Sequence, residues 1–271
     1  MDFIVILAAV TAAVIAWAAN IKAGIVVTTA ALAYLTYRLF PTAMAVRGKK
    51  AYAAGDYDKA FKAYESAVKT ERANLVIKLE YSDLLMQMGK TEEAKELLDK
   101  MLREKLPADT AKILKLRRCM AYYKLGDKEE ALNDAEEIYN DGFRTTYLYS
   151  VLGFFKLDCG SNTEDTFRFC REAYEYNESD RDIADNYALA LYYKGEYERA
   201  RSLYNVMTHK YPAFVEGYYH GALVEYAMGN YEKALEYAEK TDECKWSPLT
   251  TVTKEELLEL KASASEKMGV R

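Results

Sequence analysis

Six glycines keep one beat along most of this 271-residue chain. Gly55, Gly89, Gly126, Gly160, Gly195 and Gly229 are separated by 34, 37, 34, 35 and 34 residues. A fixed period of this length confines the fold to stacked units that bury their apolar faces against their neighbours. After five of the glycines runs a common phrase: Gly55-Asp-Tyr57-Asp-Lys-Ala60, Gly89-Lys-Thr-Glu-Glu-Ala94, Gly126-Asp-Lys-Glu-Glu-Ala131, Gly195-Glu-Tyr197-Glu-Arg-Ala200 and Gly229-Asn-Tyr231-Glu-Lys-Ala234. Seven residues before the glycines stand small side chains, Gly48, Ser82, Cys119, Gly153, Ala188 and Ala222. Nine residues after them, in the five regular repeats, stand Tyr64, Leu98, Ala135, Tyr204 and Ala238. A glycine can take the left-handed conformation that ends a helix, and small residues facing each other let two helix axes approach to roughly 8 Å. A helix can therefore stop at each glycine, and small residues such as Gly48 and Ala60, or Ala188 and Ala200, mark close crossings.

These residues at this spacing resemble the tetratricopeptide repeat family, whose unit of about 34 residues is a pair of antiparallel helices. The resemblance covers residues 41 to 243 and implies an all-α solenoid of about six helix pairs, at about 41–74, 75–111, 112–145, 146–180, 181–214 and 215–246, within a repeat domain of 41–246. Departures mark weak points. Repeat three gains an insertion around Pro107-Ala108-Asp109, repeat four loosens its turn at Cys159-Gly160-Ser161-Asn162, and only Pro212 sits where the family closes a unit with proline. Asp127 with Glu130, and Thr253 with Glu256, are spaced as capping boxes. Beyond Pro248, residues 247–271 read as a capping helix from Val252 to Met268 and a tail, the helix carrying Lys254, Glu255, Glu256, Glu259, Lys261, Glu266 and Lys267 to solvate the end of the stack.

The first forty residues are another material. Of 79 charged residues only Asp2, Lys22 and Arg38 fall there. Phe3 to Ala19 and Gly24 to Tyr37 are uncharged runs broken by Asn20-Ile21-Lys22-Ala23. One straight helix would hold Lys22 near a bilayer centre, at a cost of about 2.5 kcal/mol or more, so two transmembrane helices, 3–19 and 24–40, are expected, with the turn at one face. Arg38, Arg47, Lys49 and Lys50 form a basic flank, which places the repeats on the cytoplasmic side of the cell membrane. A secretory signal cut near Ala16-Trp17-Ala18-Ala19 is the competing reading; residues 1–21 hold no Lys or Arg to begin one.

Beyond residue 40 the chain holds 35 basic and 41 acidic residues and no basic block, so nucleic acid is not an expected partner. His209 and His220 fall in different repeats with no ligand partner at metal spacing, and both read as helix-surface residues. Cys119 stands at a small-residue packing position, Cys159 and Cys170 lack redox-pair spacing, and no glycine follows a strand to cradle phosphate. No enzyme activity, metal or cofactor is expected.

Binding is the expected work. In the family the concave face is lined by the first helix of each unit, and the resemblance maps it here to Met86, Met120, Tyr123, Tyr147, Phe154, Tyr192, Tyr219 and Tyr226, with Leu189 and Leu223. Glu80, Asp83, Asp182, Asp185 and Glu216 lie beside them and make the groove aromatic and mildly acidic. Tyrosine offers large contact area with few rotors, which suits peptide recognition. Seven other tyrosines, at 57, 64, 81, 187, 197, 204 and 231, fall at packing positions and read as core. The chaperone-binding members clamp a carboxylate with Lys and Asn at two positions where repeat one has Ala45 and Lys49 and repeat two Leu79 and Asp83, so a chaperone tail is disfavoured. The expected function is a membrane-tethered scaffold or adaptor for a protein or peptide. The alternatives are an extracytoplasmic assembly or export factor, or a structural subunit whose hairpin packs on other membrane helices.

Overall fold

A computed structural model describes residues 2–159 and 163–269, and among them the fold is all α-helix: fourteen helices and no strand. They are α1 (Asp2–Ala19), α2 (Ile21–Ala53), α3 (Tyr57–Val68), α4 (Leu75–Gln87), α5 (Thr91–Leu102), α6 (Ala108–Leu125), α7 (Lys128–Asn140), α8 (Thr146–Asp158), α9 (Glu164–Tyr176), α10 (Arg181–Tyr193), α11 (Tyr197–Lys210), α12 (Val215–Ala227), α13 (Tyr231–Glu243) and α14 (Lys254–Lys267). The chain divides into two compact units, Met1–Leu85 and Met86–Arg271.

In the first unit α1 and α2 pack as an antiparallel hairpin, with Ile4, Ala8 and Ala12 lying along Tyr34, Ala30, Ala31, Val26 and Val27. The turn is a single residue. Asn20 is extended at φ −164°, and its side-chain oxygen accepts from the Lys22 N–H to start α2. Gly24 makes the tight end possible: a Cβ there would lie 2.5 Å from the Trp17 ring, and the Trp17 indole N–H donates to the Thr28 hydroxyl at 3.0 Å. Large apolar side chains remain exposed along both helices, Leu7, Val14, Ile15, Ile25, Val26 and Leu32 among them. Of the described helices only α2 is long and apolar enough to cross a membrane; α1 adds the shorter apolar stretch Ile6–Ala19.

No break separates the apolar run from the repeats. α2 continues through Pro41 to Ala53, so one helix carries both the second apolar run and the first helix of repeat one, where a new segment is expected from residue 41. Proline has no N–H to give and disturbs the preceding turn, but Ala45, Gly48 and Ala51 bury one helix face immediately beyond it, and that packing holds the helical path. The crossing with α3 is close: a Cβ on Gly48 would meet the Tyr64 ring at 2.7 Å. Tyr64 donates to Glu80 at 3.0 Å, and Lys49 reaches the same carboxylate at 3.5 Å.

The second unit stacks α5 and the helix pairs α6–α7 to α12–α13 by the rule of the glycines. Gly89, Gly126, Gly195 and Gly229, like Gly55 in the first unit, all have φ between +73° and +99°. At Gly195 nothing lies within 4 Å of where a Cβ would sit, so glycine is needed there for its backbone conformation and not for space. Gly160, Ser161 and Asn162, the expected loosened turn, lie outside the described residues. Ala60, Ala94, Ala131, Ala200 and Ala234 have no exposed surface. Ser82, Cys119, Gly153, Ala188 and Ala222 on the facing helices are buried too.

The Thr253–Glu256 capping box forms in full. The Asp127–Glu130 box does not: the Asp127 N–H that Glu130 would bond closes α6 on the Tyr122 carbonyl at 2.9 Å, and the Asp127 side chain makes no cap bond. Arg118 of α6 links the flanking helices, donating to Asp99 of α5 at 3.2 Å and to Asp134 of α7 at 3.1 Å.

Replacing Ala200 by Leu puts three more carbons into a site with no free surface and is expected to cost about 1–3 kcal/mol. Gly195→Ala, which meets no atom, is expected to cost about 1–2 kcal/mol through φ alone. Thermal unfolding followed by circular dichroism checks both, and equal midpoints for the two variants and the wild type would refute the assigned register.

Candidate peptide-binding face

The first helices of repeats three to six, α6, α8, α10 and α12, carry most of the expected groove residues on one face. The structure distributes them unevenly. Tyr147 is exposed, its ring 5.3 Å from the Arg117 guanidinium. Met120 and Phe154 are half-buried, and Phe154 meets Tyr123 edge-on at 4.9 Å between ring centres. Tyr192 and Tyr226 lean on the tyrosines of the following turns, Tyr197 at 5.8 Å and Tyr231 at 5.3 Å. Met86, Tyr123 and Tyr219 are buried.

Part of that burial comes from the chain's own C-terminal segment. After α13 the chain runs without regular structure from Cys244 to Thr253, closed on itself by a Thr250 N–H bond to the Ser247 carbonyl at 3.0 Å. Pro248 comes against Gly89, where a Cβ would sit 3.5 Å from its ring. The Lys124 ammonium at the end of α6 donates to the Thr250 carbonyl at 2.9 Å. The Thr251 N–H donates to Glu216 at the start of α12, also at 2.9 Å. Val252, Leu257 and Leu260 then enter one cluster with Tyr219, Leu223 and Tyr226, three residues of the expected groove. The C-terminal helix therefore does more than solvate the stack: its charges face outward as expected, while Leu257, Leu260 and Ala264 are buried. Lys254 and Lys261 both pair with Asp242 and hold α14 to α13.

Where α10 and α12 begin the electrostatics are acidic. Asp182, partly exposed but set among protein mass, is pushed up to about 6 by that crowding, with Asp180, Asp185 and Glu216 adding to the rise and Arg181 opposing it. His220 departs from the surface position expected for it. It is largely shielded on α12, its side chain 12% exposed, and its Nδ1 lies 2.8 Å from Asp185 of α10. Burial works against its charge, but the Asp185 carboxylate overcomes this, and Glu216 and Glu256 add to it, so the imidazole is held above its ordinary value. The 35-residue separation of Asp185 and His220, one repeat period, is the signal in the sequence that joins them. His209 is exposed as expected and bonds the Asn205 carbonyl within its own helix.

Burial pushes the Cys119 and Cys170 thiols up to about 12, which keeps them protonated and unreactive. Among the described residues no group of three His, Cys, Asp or Glu side chains is placed to hold a metal ion.

Two family models match, both described as tetratricopeptide repeat, over residues 51–115 and 171–246, together just over half of the chain. The chain contains tetratricopeptide repeats. Among solved structures it is similar to a tetratricopeptide repeat protein from Parabacteroides merdae, at 16% identity with a TM-score of 0.63, over 90% of this chain and 93% of that one. At that identity the likeness is one of fold. It is also similar, at 20% identity, to YrrB, described as a TPR protein with an unusual peptide-binding site, over 74% of this chain and 98% of that one. That TM-score, 0.46, is too low to bear on the groove. No curated protein sequence matches the chain. Both family matches are to interaction repeats, and no catalytic family is among them.

The His220 pair gives a pH dependence whose sign follows from the raised imidazole. An imidazolium favoured in the folded chain contributes its full stabilisation below pH of about 6.5 and loses it as the pH rises through the folded value. The stability difference between wild type and His220→Gln is therefore expected to shrink between pH 6 and pH 9 in thermal melts. A difference constant over that range would show that the pair is not ionic.

Proposed function

We propose that the chain is a membrane-tethered scaffold whose repeats bind a protein or peptide partner on the face of the first helices. The observation that carries this is that the face already accepts polypeptide: Lys124 and Glu216 bond main-chain groups of Thr250 and Thr251, and Tyr219, Leu223 and Tyr226 take aliphatic side chains beside them. A face that bonds backbone and pockets alternate side chains is suited to extended peptides. Tyr147, Met120 and Phe154, which are not in that cluster, provide further aromatic and thioether contact for a partner.

The tether rests on the α1–α2 hairpin. Exposed aliphatic surface on both helices is larger than a soluble monomer ordinarily leaves in water, and a hydrocarbon layer would cover it. Arg38, Arg47, Lys49 and Lys50 follow on the same continuous helix, which supports a cytoplasmic position for the repeats. Because α2 enters repeat one without a joint, the anchor would orient that repeat as well as hold it. The shallow apolar groove between Ala8, Ala12, Val27 and Ala31 favours one second reading, a structural subunit whose hairpin packs on other membrane helices. Exchanging the hairpin for an unrelated anchor separates the two, since only the subunit reading loses its partner.

Cross-linking in solubilised membranes tests the face. Tyr147→Ala with Met120→Ala is expected to lower partner recovery about tenfold, as loss of one or two contact anchors does. Equal recovery removes this face from the reading. Digestion of the repeats by protease added to intact spheroplasts would overturn the cytoplasmic side.

A further inference from the structure

The segment from Lys245 to Lys267 is seated on the face proposed above for a partner, and its extended part meets that face through a few side-chain groups. Its extended part bonds groups outside it at Lys124, which donates to the Thr250 carbonyl, at Glu216, which accepts from the Thr251 N–H and hydroxyl, and at the Thr241 carbonyl, which accepts from the Trp246 indole N–H. α14 buries three side chains, Leu257, Leu260 and Ala264, as many as the repeat helices α5 and α7 and fewer than the nine of α10. Pro248 is exposed, and the ion pairs of Lys254 and Lys261 with Asp242 lie at the surface, where such pairs add little. Segments with few buried contacts open at lower free energy than the fold around them.

The anchors are also not those of a plain end cap. A cap has to cover α13, and α14 does so. The stretch before it reaches also to Gly89 in repeat two and Lys124 in repeat three, with which α13 has no need to connect, and to Glu216 at the start of α12. Lys124 spends its ammonium on a carbonyl of this stretch in a site that lowers its basicity by burial. Such groups are arranged to receive a peptide backbone.

We infer that residues 245–267 are a tethered ligand of the first-helix face, that a partner binds by displacing them, and that the partner carries the same chemistry. That chemistry is an extended, uncharged, hydroxyl-rich stretch with a free carbonyl and the next N–H for Lys124 and Glu216, as in Ser247-Pro-Leu-Thr-Thr-Val252, followed by a helix presenting two aliphatic side chains three apart. The inference rests on the proposed use of this face. A tethered segment acts at an effective concentration on the order of millimolar, so an outside peptide of equal intrinsic affinity is excluded until the tether lets go.

The test uses the full chain in detergent micelles and a fluorescent peptide of residues 245–262 added in trans. Wild type is expected to bind it at least tenfold more weakly than Val252→Asp with Leu257→Asp, in which the chain's own segment is detached. Equal affinity overturns the inference, as does loss of cooperative melting of the repeats in the variant, which would make the segment a structural cap. Hydrogen exchange in the wild type decides independently of any variant. The Thr251 amide is expected to exchange at least a hundredfold faster than that of Val224 in the core of α12, and equal rates overturn the inference. A partner captured on this face equally by wild type and variant would leave the scaffold reading intact and remove the displacement; tighter peptide binding by the variant with no partner captured would do the reverse.

Discussion

Close contact between paired helices, made at Ala60, Ala94, Ala131, Ala200 and Ala234 with no exposed surface at any of the five, is the constraint from which the rest of the molecule follows. At such a crossing the backbones are near enough that one methyl group fills the space between them. In the second unit the core that results is divided along the stack, with one cluster around Leu152 and Tyr187 and another around Tyr219 and Leu257, and no broad centre in which large side chains could gather. Each unit must therefore draw its remaining stability from its neighbours, and the residues doing this need both apolar area and a polar end.

Tyrosine answers that need, which explains why the chain has 24 of them. Tyr139 bonds Glu172, Tyr211 the Ser179 carbonyl and Tyr237 Asn205, in each case a partner 32 or 33 residues away, close to one repeat. The ring packs in the seam between units and the hydroxyl ties across it. Charged groups do the same where they are shielded. Arg118 spans Asp99 and Asp134, and Arg201 meets Glu225, itself nearly inaccessible and bonded to Asn230. A shielded charge is costly unless its partners are in place, so each of these pairs penalises a slipped register more than it adds to stability. The His220–Asp185 pair belongs to this set, with the difference that protons can switch it.

The repeats were legible in the sequence because their signal is local. A glycine at positive φ and an alanine five residues later are fixed by the few atoms around them, and no distant part of the chain can change the requirement. Helix boundaries at repeat one were less legible: charge marks a change of material at residue 40, but α2 runs on because Ala45, Gly48 and Ala51 are packed on one side whatever lies before them. The Asp127–Glu130 spacing promised a capping box, and the chain reversal at Gly126 had already used the N–H it required. Least legible was the C-terminal segment. Its contacts join Lys124 to Thr250, 126 residues apart, and nothing periodic links such positions. Of the groove residues, the sequence could assign a face to Tyr123 and Tyr219, but their burial depends on what lies over them.

A stack of repeats leaves its last apolar face open, and something has to close it. Here closure is done by α14, whose Leu257 and Leu260 fit the cluster around Tyr219, while the stretch that delivers it crosses to Lys124. The two tasks make opposite demands. A permanent closure gains from every added contact, whereas a segment that yields to a partner must keep its contacts few. The structure separates them in part by position: Leu257 and Leu260 fall on α14, while the extended stretch before it adds Val252, one bond from Lys124 of α6 and two to Glu216 of α12. Release of the stretch alone would expose Lys124 and Glu216, a cation and an anion both ready to bond a backbone, while α14 stayed on α13 through Asp242. Opening can thus proceed in two stages: the stretch yields first, and the partner then displaces α14 to reach the aromatic face.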